Sequence, residues 1–553
     1  MSAGSFTRGH KSDVTVQGAG MSRLVFLLLS LLVPFTPCQS ATDRPNIFIA
    51  ISDDVSWPHT SAYGSNMVST PAFDQVAATG VLFHNAFCPA PGCSPSRAAF
   101  LTGRHIWMIE EAGTHASYFQ KKYRTFPEQL QDAGYFVGST GKAWGPGDFR
   151  HNGREHNPAG KQWQVSRGNY VEGFRQFLAT RPDGRPFCFW FGSHDAHRQY
   201  EKSSGVRKGL GMETAEVPSF LPDHPEIRRD LLDYAFEIER FDNDCRGMLQ
   251  ILEDAGELDN TLVIVTSDNG MPFPRAKANC YEFGVHVPLA ICWKNVIPGN
   301  REITDLIDFT DLTCTIYRAT GVSPPAENPP SGSSLLESLK SERDGQIDSS
   351  RTVVYFGRER HSSSRFNSLS YPQRAIRTPA FLYIINLKSE RWPAGAPRKF
   401  KEVAWHTNGT FTGILGPEHS GYHDIDSCPT LEFLIEKRDD PRYTRYLSLS
   451  VARRPAEELF DIRTDPGCIR NLATEPDHAE TRNRLRRRLL DHLATTGDPR
   501  MTGNGDVWET YPRVSRLRWF DAPDWAAANP ASVPTQAWLE TRRPRADNSS
   551  VSP

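Results

Sequence analysis

Pro45-Asn46-Ile47-Phe48-Ile49-Ala50-Ile51-Ser52-Asp53-Asp54 is a mainly apolar run that ends abruptly in two carboxylates. A short apolar run without polar alternation predicts a strand that is buried on both faces, as in a parallel sheet. The polar pair then stands at the C-terminal end of that strand.

The same pattern, an apolar strand followed by polar side chains, recurs three times. Residues 135–138 lead to Gly141-Lys142, residues 187–191 to His194, and residues 262–265 to Asp268-Asn269. Between the strands, residues 126–133 and 227–255 carry apolar side chains near helical spacing. Alternating strands and helices predict an α/β fold, with a largely parallel sheet that helices cover on both faces.

Ligands of such sheets bind at the carboxyl ends of the strands. We therefore expect one crevice to gather side chains that are far apart in sequence: Asp53, Asp54, Lys142, His194, Asp268 and Asn269. Carboxylate and amide oxygens suit Ca²⁺ or Mg²⁺ better than zinc. The two strand-end pairs therefore predict a divalent metal site, with calcium and magnesium both open.

The chain is too long, at 553 residues, for one hydrophobic core to be the expectation. A Pro/Ser/Gly-rich stretch over 324–334, followed by a polar segment to Ser350, predicts a boundary. We expect a larger domain over 44–345 and a smaller one with an antiparallel sheet over 351–500. In the smaller domain, 352–356 and 381–385 resemble strands and 481–493 a helix. Residues 501–553 form an extension without an assigned structure.

The N-terminal residues 1–41 are predicted to be a signal peptide. Arg23 precedes an apolar run over 24–34 that is too short to span a bilayer, and Ser40-Ala41 offers a cleavage site. A true start at Met21 and a lipid anchor on Cys38 are the alternatives. We expect an exported protein, periplasmic, secreted or in a lysosome-like compartment, without a membrane span.

Charge excludes a general attraction for polyanions, because the formal net charge is -2 at pH 7. The arginines at 484 and 486–488 are expected to form a solvated helix face, and no nucleic-acid partner is predicted. An anionic substrate would need a local cluster of cations. The ten cysteines are widely and irregularly spaced, so their pairing cannot be read from the sequence.

One segment carries a family resemblance, Cys93-Ser94-Pro95-Ser96-Arg97-Ala98-Ala99-Phe100-Leu101-Thr102-Gly103-Arg104. It resembles the sulfatase signature at C-x-P-S-R and again at L-T-G-R, and residues 134–142 resemble the second signature of that family. The resemblance implies an alkaline-phosphatase-like α/β domain with a large, mixed, mostly parallel sheet between helices, and a smaller C-terminal α+β domain. It also implies that a maturation enzyme oxidises Cys93 to formylglycine (3-oxoalanine), and that the metal is Ca²⁺.

The family's site residues carry over onto matching positions here. The implied catalytic set is Cys93, Arg97, Lys142, His194 and Lys277, and the implied metal ligands are Asp53, Asp54, Cys93, Asp268 and Asn269. In that scheme Arg97 orients the formylglycine, the two lysines clamp sulfate, and His194 protonates the leaving atom. One departure is Trp144, where the family usually has a histidine. Either His115 supplies a second imidazole, or His194 works alone.

Two stretches, residues 193–198 and 269–274, resemble the heparan N-sulfatase branch of the family. That resemblance implies a sulfated oligosaccharide substrate ending in N-sulfoglucosamine, and sugar contacts from His115, His197, Arg198, His361 and Arg374. An O-sulfatase acting on another sulfated glycan is the close alternative, since specificity depends on a few pocket contacts. A phosphoryl hydrolase, which normally uses Ser or Thr as nucleophile, and a non-catalytic glycan-binding homologue are less favoured.

Overall fold

The apolar run at the start of the larger domain is strand β1 (Asn46–Ser52), and all seven of its residues are buried. The structure is a computed structural model that describes residues 44–163, 168–405 and 411–542. The predicted signal peptide, the alternative start at Met21 and Cys38 lie outside these ranges.

The described strands and helices follow one another as the sequence pattern predicts. In chain order the remaining strands are β2 (Val81–Phe83), β3 (Ala86–Phe87), β4 (Phe136–Gly141), β5 (Lys161–Gln162), β6 (Phe187–Gly192), β7 (Thr261–Ser267), β8 (Leu289–Cys292), β9 (Arg301–Ile303), β10 (Ile307–Asp308), β11 (Val354–Arg358), β12 (Gln373–Arg377), β13 (Phe381–Asn386), β14 (Phe400–Trp405), β15 (Phe411–Leu415) and β16 (Glu457–Asp461). The α-helices are α1 (Pro71–Thr79), α2 (Cys93–Thr102), α3 (Phe126–Asp132), α4 (Tyr170–Thr180), α5 (Ser204–Arg207), α6 (Pro225–Asp254), α7 (Glu282–Val285), α8 (Phe309–Thr320), α9 (Leu336–Lys340), α10 (Pro429–Glu436), α11 (Thr444–Val451), α12 (Ala479–Thr495), α13 (Val507–Thr510), α14 (Asp524–Ala528) and α15 (Ala537–Glu540).

The larger sheet has the strand order β5-β4-β6-β1-β7-β8-β2-β9 over the described residues. Strand β1 lies between β6 and β7 and runs parallel to both. Strand β8 is antiparallel to its two neighbours, so the sheet is mixed and mostly parallel. The four strands of the sequence pattern are adjacent, as β4-β6-β1-β7, and their polar ends meet at one edge.

Helices cover both faces of this sheet because successive side chains of a strand point to opposite sides. Ile47, Ile49 and Ile51 pack into one hydrophobic core that includes residues of α2 and α8. Phe48 and Ala50 pack into a second core with residues of α4 and α6. The α/β fold with a sandwiched sheet is therefore confirmed.

Helix α6 shows why the local sequence folds as it does. Pro225 stands at its start, where a missing N–H costs nothing, and the His224 ring accepts a hydrogen bond from the backbone N–H of Glu226. Its buried positions include Leu231, Ile238 and others spaced near one helical turn. The predicted helix over 227–255 differs from the observed one by only a few residues.

The smaller sheet is antiparallel throughout, with the order β11-β12-β13-β16. One face packs into the core that also covers the larger sheet, through residues such as Phe356 and Leu382. The other face packs on α12 through Leu485, Leu489 and Leu493. The arginines at 484 and 486–488 are exposed.

The C-terminal extension, without an expected structure from sequence, packs against the smaller sheet. Trp508 and Glu509 are buried, and the Glu509 carboxylate accepts hydrogen bonds from Ser370 and Arg391. Among the described residues, no helix is long and apolar enough to cross a membrane. All nine described cysteines are free thiols.

Candidate active site

Cys93 is the first residue of α2, and all ten residues of that helix are buried. The Sγ atom of Cys93 lies 3.2 Å from Nε2 of His115. Burial raises the pKa of the Cys93 thiol to about 11, although Lys142 acts in the opposite direction. The partial positive charge of a helix N-terminus would favour a negative charge developing at this position.

Arg97 lies one helical turn after Cys93 and is fully buried. Its Nε donates to Oδ2 of Asp268 at 2.7 Å. Its Nη1 donates to the carbonyl oxygens of Lys142 at 2.5 Å and Ala143 at 3.1 Å. This guanidinium therefore joins the start of α2 to the ends of β4 and β7.

The two oxygen-bearing pairs lie side by side, because β1 and β7 are neighbours with Ser52 opposite Ser267. The backbone N–H of Asp54 donates to Oδ1 of Asp268 at 3.1 Å, and the Asn269 amide donates to Oδ1 of Asp54 at 2.7 Å. Asp53, Asp54, Asp268 and Asn269 are all 0% exposed.

The donor set fits a hard divalent cation. Among the described residues, Oδ1 of Asp53 and Oδ1 of Asn269 are buried and have no hydrogen-bond partner. Side-chain ligand atoms of Asp53, Cys93 and Asp268 all lie within 4.8 Å of one another. Buried oxygens without partners are costly, and a cation bound between these oxygens would satisfy them.

Two lysines neutralise part of this negative charge. Lys142 donates to Oδ2 of Asp53 at 2.5 Å, and Lys277 donates to Asp54 at 2.6 Å and Asp426 at 2.9 Å. Burial alone would lower the pKa of Lys142, but the Asp53 carboxylate raises it above its ordinary value. Burial would raise the pKa of Asp53, and Lys142 with other cations holds it below the usual range.

His194 follows β6 and lines a cavity of about 520 Å³ together with Asp53, Lys142 and His197. The His194 side chain is exposed, and His197 Nε2 lies 4.0 Å from Oδ2 of Asp54. The cavity therefore opens onto the Asp53–Lys142 pair.

His115 and His361 stand on another side of Cys93, with ring centroids 4.5 Å apart. Burial lowers the pKa of His115 well below its ordinary value and that of His361 to about 3, so both rings are neutral. A Cβ on Gly92 would lie 2.9 Å from Nδ1 of His361. Glycine before Cys93 therefore leaves room for this ring.

The prediction of Arg374 as a sugar contact is corrected by its position, whereas Arg198 lies in the lining of the His194 cavity. Arg198 forms two hydrogen bonds to Asp230, at 2.7 and 2.9 Å, and its side chain is only 3% exposed. Arg374 is fully buried and is paired with Asp498 and Glu359. The Arg374 guanidinium therefore faces carboxylates inside the protein, whereas Asp230 holds Arg198 in the lining of the cavity.

Trp144 supports the first turn of α2. Its indole N–H donates to the carbonyl oxygen of Ser94 at 3.0 Å, and its ring packs against Phe119. The imidazole that contacts Cys93 belongs to His115, which comes from a different loop. This geometry favours the first of the two alternatives posed by the sequence.

Two residues of this region are absent from the sequence-based set. Asp426 lies in an irregular segment between β15 and α10 and pairs with Lys277. Arg513 lies in the C-terminal extension, and its Nη1 is 3.4 Å from Nδ1 of His115. The close spacing of Arg513, Arg516 and Arg518 in the sequence could have indicated Arg513. No sequence pattern indicates Asp426.

Comparison with known proteins agrees with this geometry. The profile of the Sulfatase family matches residues 45–322. Human N-sulphoglucosamine sulphohydrolase is 30% identical over 513 residues, which cover 85% of this chain and 93% of the human protein. A ulvan-active sulfatase of Formosa agariphila is 24% identical over 82% of this chain and 76% of its own length.

Solved structures share the fold at lower identity. The protein BT4656, solved in complex with its substrate D-glucosamine-2-N,6-O-disulfate, superposes with a TM-score of 0.57 at 19% identity, covering 83% of this chain and 99% of that one. Phosphonate monoester hydrolase of Agrobacterium radiobacter also superposes with a TM-score of 0.57, at 14% identity, covering 83% and 97%. The fold therefore extends across more than one chemistry.

Proposed function

The chain belongs to the sulfatase family and is a sulfuric ester or sulfamate hydrolase acting on a sulfated sugar, and we propose that it removes the N-linked sulfate of a terminal N-sulfoglucosamine. The observation that carries the proposal is the set of groups around Cys93. A helix N-terminus, two lysines, two buried histidines and four oxygen ligands all surround this one residue. The match to the human N-sulphoglucosamine sulphohydrolase over nearly its full length supports the substrate.

We propose that Cys93 is converted to formylglycine by a maturation enzyme that reads the Cys93–Arg97 motif. A hydrated formylglycine would supply two geminal hydroxyls, one to attack sulfur and the other to expel the sulfate afterwards. The four strand-end residues Asp53, Asp54, Asp268 and Asn269, with residue 93, would hold Ca²⁺, or alternatively Mg²⁺. When bound, the cation lowers the pKa of the nucleophile and polarises one sulfate oxygen.

The chain's own cations position and neutralise the sulfate. Lys142 and Lys277 are held by carboxylates at the strand ends, so their ammonium groups are fixed before substrate arrives. Arg97 is fully engaged inside the protein and acts by holding α2 and Asp268 in place. Fixed charges stabilise a developing negative charge without reorganisation during the reaction.

His115 is best suited to donate a hydrogen bond at residue 93. Arginine is only a donor, so the contact from Arg513 makes Nδ1 of His115 an acceptor. The neutral ring then carries its proton on Nε2, 3.2 Å from Sγ of Cys93. His194, on the cavity side, would protonate the leaving nitrogen.

The test is sulfate release by protein whose conversion at Cys93 is verified by peptide mass spectrometry. N-sulfoglucosamine is compared with glucosamine 6-O-sulfate at equal concentration, and Cys93→Ala is the inactive control. Preference for the N-sulfate is the expected result. Retained turnover by Cys93→Ala would show that residue 93 is not the nucleophile. Preference for the O-ester would contradict only the proposed substrate.

An O-sulfatase activity is the second candidate, since curated relatives include human N-acetylgalactosamine-6-sulfatase at 25% identity. A phosphoryl hydrolase is disfavoured because Cys93 stands where those enzymes have Ser or Thr. A non-catalytic glycan-binding role would not require the retained set of strand-end carboxylates and lysines. We also propose that the protein is exported and that residues 1–41 act as its signal peptide.

A further inference from the structure

A segment of the C-terminal extension contacts His115, the imidazole beside Cys93. We call residues 511–519 the C-terminal strap. Backbone groups of the strap form hydrogen bonds along its whole length. In its first half, Arg360 Nη2 donates to Tyr511 O at 2.8 Å, Ser117 Oγ to Pro512 O at 2.5 Å, and Val514 N–H to Ala116 O at 2.8 Å. At its end, Ser363 Oγ donates to Arg518 O at 3.0 Å and Phe400 N–H to Trp519 O at 2.9 Å. The strap is therefore an integral part of the wall around the site.

Arg513 is the strap residue nearest the reaction centre. Its Nη1 donates to the carbonyl oxygens of His361 at 2.9 Å and His115 at 3.3 Å, so a single imidazole separates it from Cys93. It is only 5% exposed. Burial, with the neighbouring Arg360, lowers the pKa of Arg513 to about 9.

Arg513 has no counter-ion among the described residues, a property that it shares with the buried Arg275, Arg301 and Arg360. Other buried arginines are paired: Arg374 with Asp498, and Arg391 with Glu509. Within the described ranges, no carboxylate lies within 4.0 Å of the Arg513 guanidinium. A buried, unneutralised cation costs free energy unless an anion binds beside it.

Three more cations accompany Arg513 without an ion pair in the described part of the chain: Arg516, Arg518 and Lys399. Arg516 is exposed, and the other two are half-buried. Burial and the two guanidinium groups lower the pKa of Lys399, and burial with Arg516 lowers that of Arg518. The backbone bond from Phe400 to Trp519 brings the preceding residues Lys399 and Arg518 together, and Arg513 Nε donates to the Arg516 carbonyl oxygen at 3.4 Å. These like charges therefore lie close together, on a protein whose net charge is -2.

We propose that the C-terminal strap and Lys399 form a second anion-binding subsite, which holds a sulfate or carboxylate that the substrate carries in addition to the sulfate being removed. The inference rests on the proposed function and narrows its substrate to a glycan with at least two anionic groups. Guanidinium groups bind sulfate and carboxylate with paired, charge-assisted hydrogen bonds. Four cations without counter-ions suit such a ligand, and a sugar with a single sulfate would leave them unsatisfied.

The variant that tests the subsite is Arg516→Ala/Arg518→Ala. Arg518 bonds to Ser363 Oγ through its backbone N–H and carbonyl, and the Arg516 carbonyl accepts from Arg513 Nε. Because these bonds do not use the two side chains, the fold should survive, and an unchanged melting temperature verifies this. The matched control is Arg484→Ala/Arg487→Ala, which removes the same charge from the exposed face of α12.

Turnover is measured on three substrates: N-sulfoglucosamine, glucosamine-2-N,6-O-disulfate, and a disaccharide of N-sulfoglucosamine and an unsulfated uronate. We expect KM of the strap variant to rise roughly tenfold for a substrate with a second anion and less than twofold for N-sulfoglucosamine. A selective effect on the disulfate identifies a sulfate as the second anion, and one on the disaccharide identifies a carboxylate. Equal effects on all three substrates, or none, would overturn the subsite.

Binding to Cys93→Ala protein separates this inference from the proposed function. Calorimetry of the same sugars at two salt concentrations needs no turnover, and screening should weaken the second contact at high salt. If no sugar is hydrolysed but the strap substitutions still weaken binding of two-anion sugars selectively, the subsite stands and the proposed reaction fails. If N-sulfoglucosamine is hydrolysed but the strap substitutions do not selectively weaken binding of two-anion sugars, the subsite is contradicted and the proposed reaction stands.

Discussion

His115 lies 3.2 Å from the sulfur of Cys93, and the groups around its ring determine which hydrogen bonds it can form. The contact from Arg513 fixes the proton on Nε2, and burial keeps the ring neutral. A neutral ring with its N–H toward residue 93 donates a hydrogen bond and is not a general base. In the proposed mechanism it supplies the imidazole that Trp144 lacks.

The first prediction concerns this donor. His115→Ala should lower kcat roughly 10²- to 10³-fold, because a preorganised donor at the nucleophile is lost. His115→Gln should recover part of the loss, since its amide N–H can reach the former Nε2 position. Steady-state kinetics on N-sulfoglucosamine measure both. Equal rates for the two variants would show that the hydrogen bond contributes nothing.

At the scale of elements, the close approach of strands β4 and β6 brings Lys142 and Arg97 together. Gly192, at the end of β6, stands opposite Gly141. A Cβ on Gly192 would lie 1.7 Å from the carbonyl oxygen of Lys142 and 2.8 Å from Nη1 of Arg97. Only glycine permits both contacts.

The second prediction follows from this contact. Gly192→Ala should destabilise the protein by about 1 to 3 kcal/mol and lower kcat, because the Lys142 carbonyl must move away from Arg97. Thermal denaturation and kinetics measure the two effects. Gly184→Ala is the control: nothing lies within 4 Å of its Cβ, and only its left-handed φ of +68° adds strain. Normal activity of Gly192→Ala would contradict the argument.

The sequence predicts strands and strand ends well because their signal is local. The apolar run before Asp53 identifies a buried strand, and the parallel-sheet rule brings it to the strand before Asp268. Contacts made across long stretches of chain leave no such pattern. Asp426 reaches Lys277 from an irregular loop, and Arg374 is occupied by Asp498, which lies far along the chain.

At the scale of the whole molecule, several carboxylates, including Asp195 and Glu237, line the cavity beside His194. Asp244 on α6 lies near Asp195, Glu237 and Arg240. Burial, and then Asp195, raises the pKa of Asp244 to about 7, with Arg240 opposing. Between pH 4 and 7 the folded protein keeps a proton that the unfolded chain has lost.

The third prediction is the resulting pH dependence. Because Asp244 keeps its proton in the folded state over that range, its contribution to the free energy of unfolding should fall as pH rises from 4 to 7. In Asp244→Asn the free energy of unfolding should decrease by about 1 kcal/mol less over this pH range than in the wild type. This value is reduced to allow for solvent screening. Urea midpoints at pH 5 and 8 measure it, with Asp254→Asn, exposed near the end of α6, as control. Parallel curves for wild type and Asp244→Asn would refute it.

The fourth prediction concerns the extension as a structural part. A chain truncated after Arg500 loses Glu509 and Trp508, which leaves the buried Arg391 without its carboxylate. An unpaired buried charge costs about 3 to 5 kcal/mol, so little soluble protein is expected. Glu509→Gln should lower the melting temperature in the full chain, whereas Asp524→Asn, exposed in the same extension, should not. A soluble, cooperatively melting truncation would disprove it.

The complete burial of α2 also sets an order of events in time. Cys93 is 1% exposed, and Arg97 is enclosed by two other strands of the sheet. If Cys93 is converted to formylglycine as proposed, an enzyme that reads its neighbours could not reach them in the folded protein. The modification would then have to precede folding, and a chain that folds first would stay unmodified.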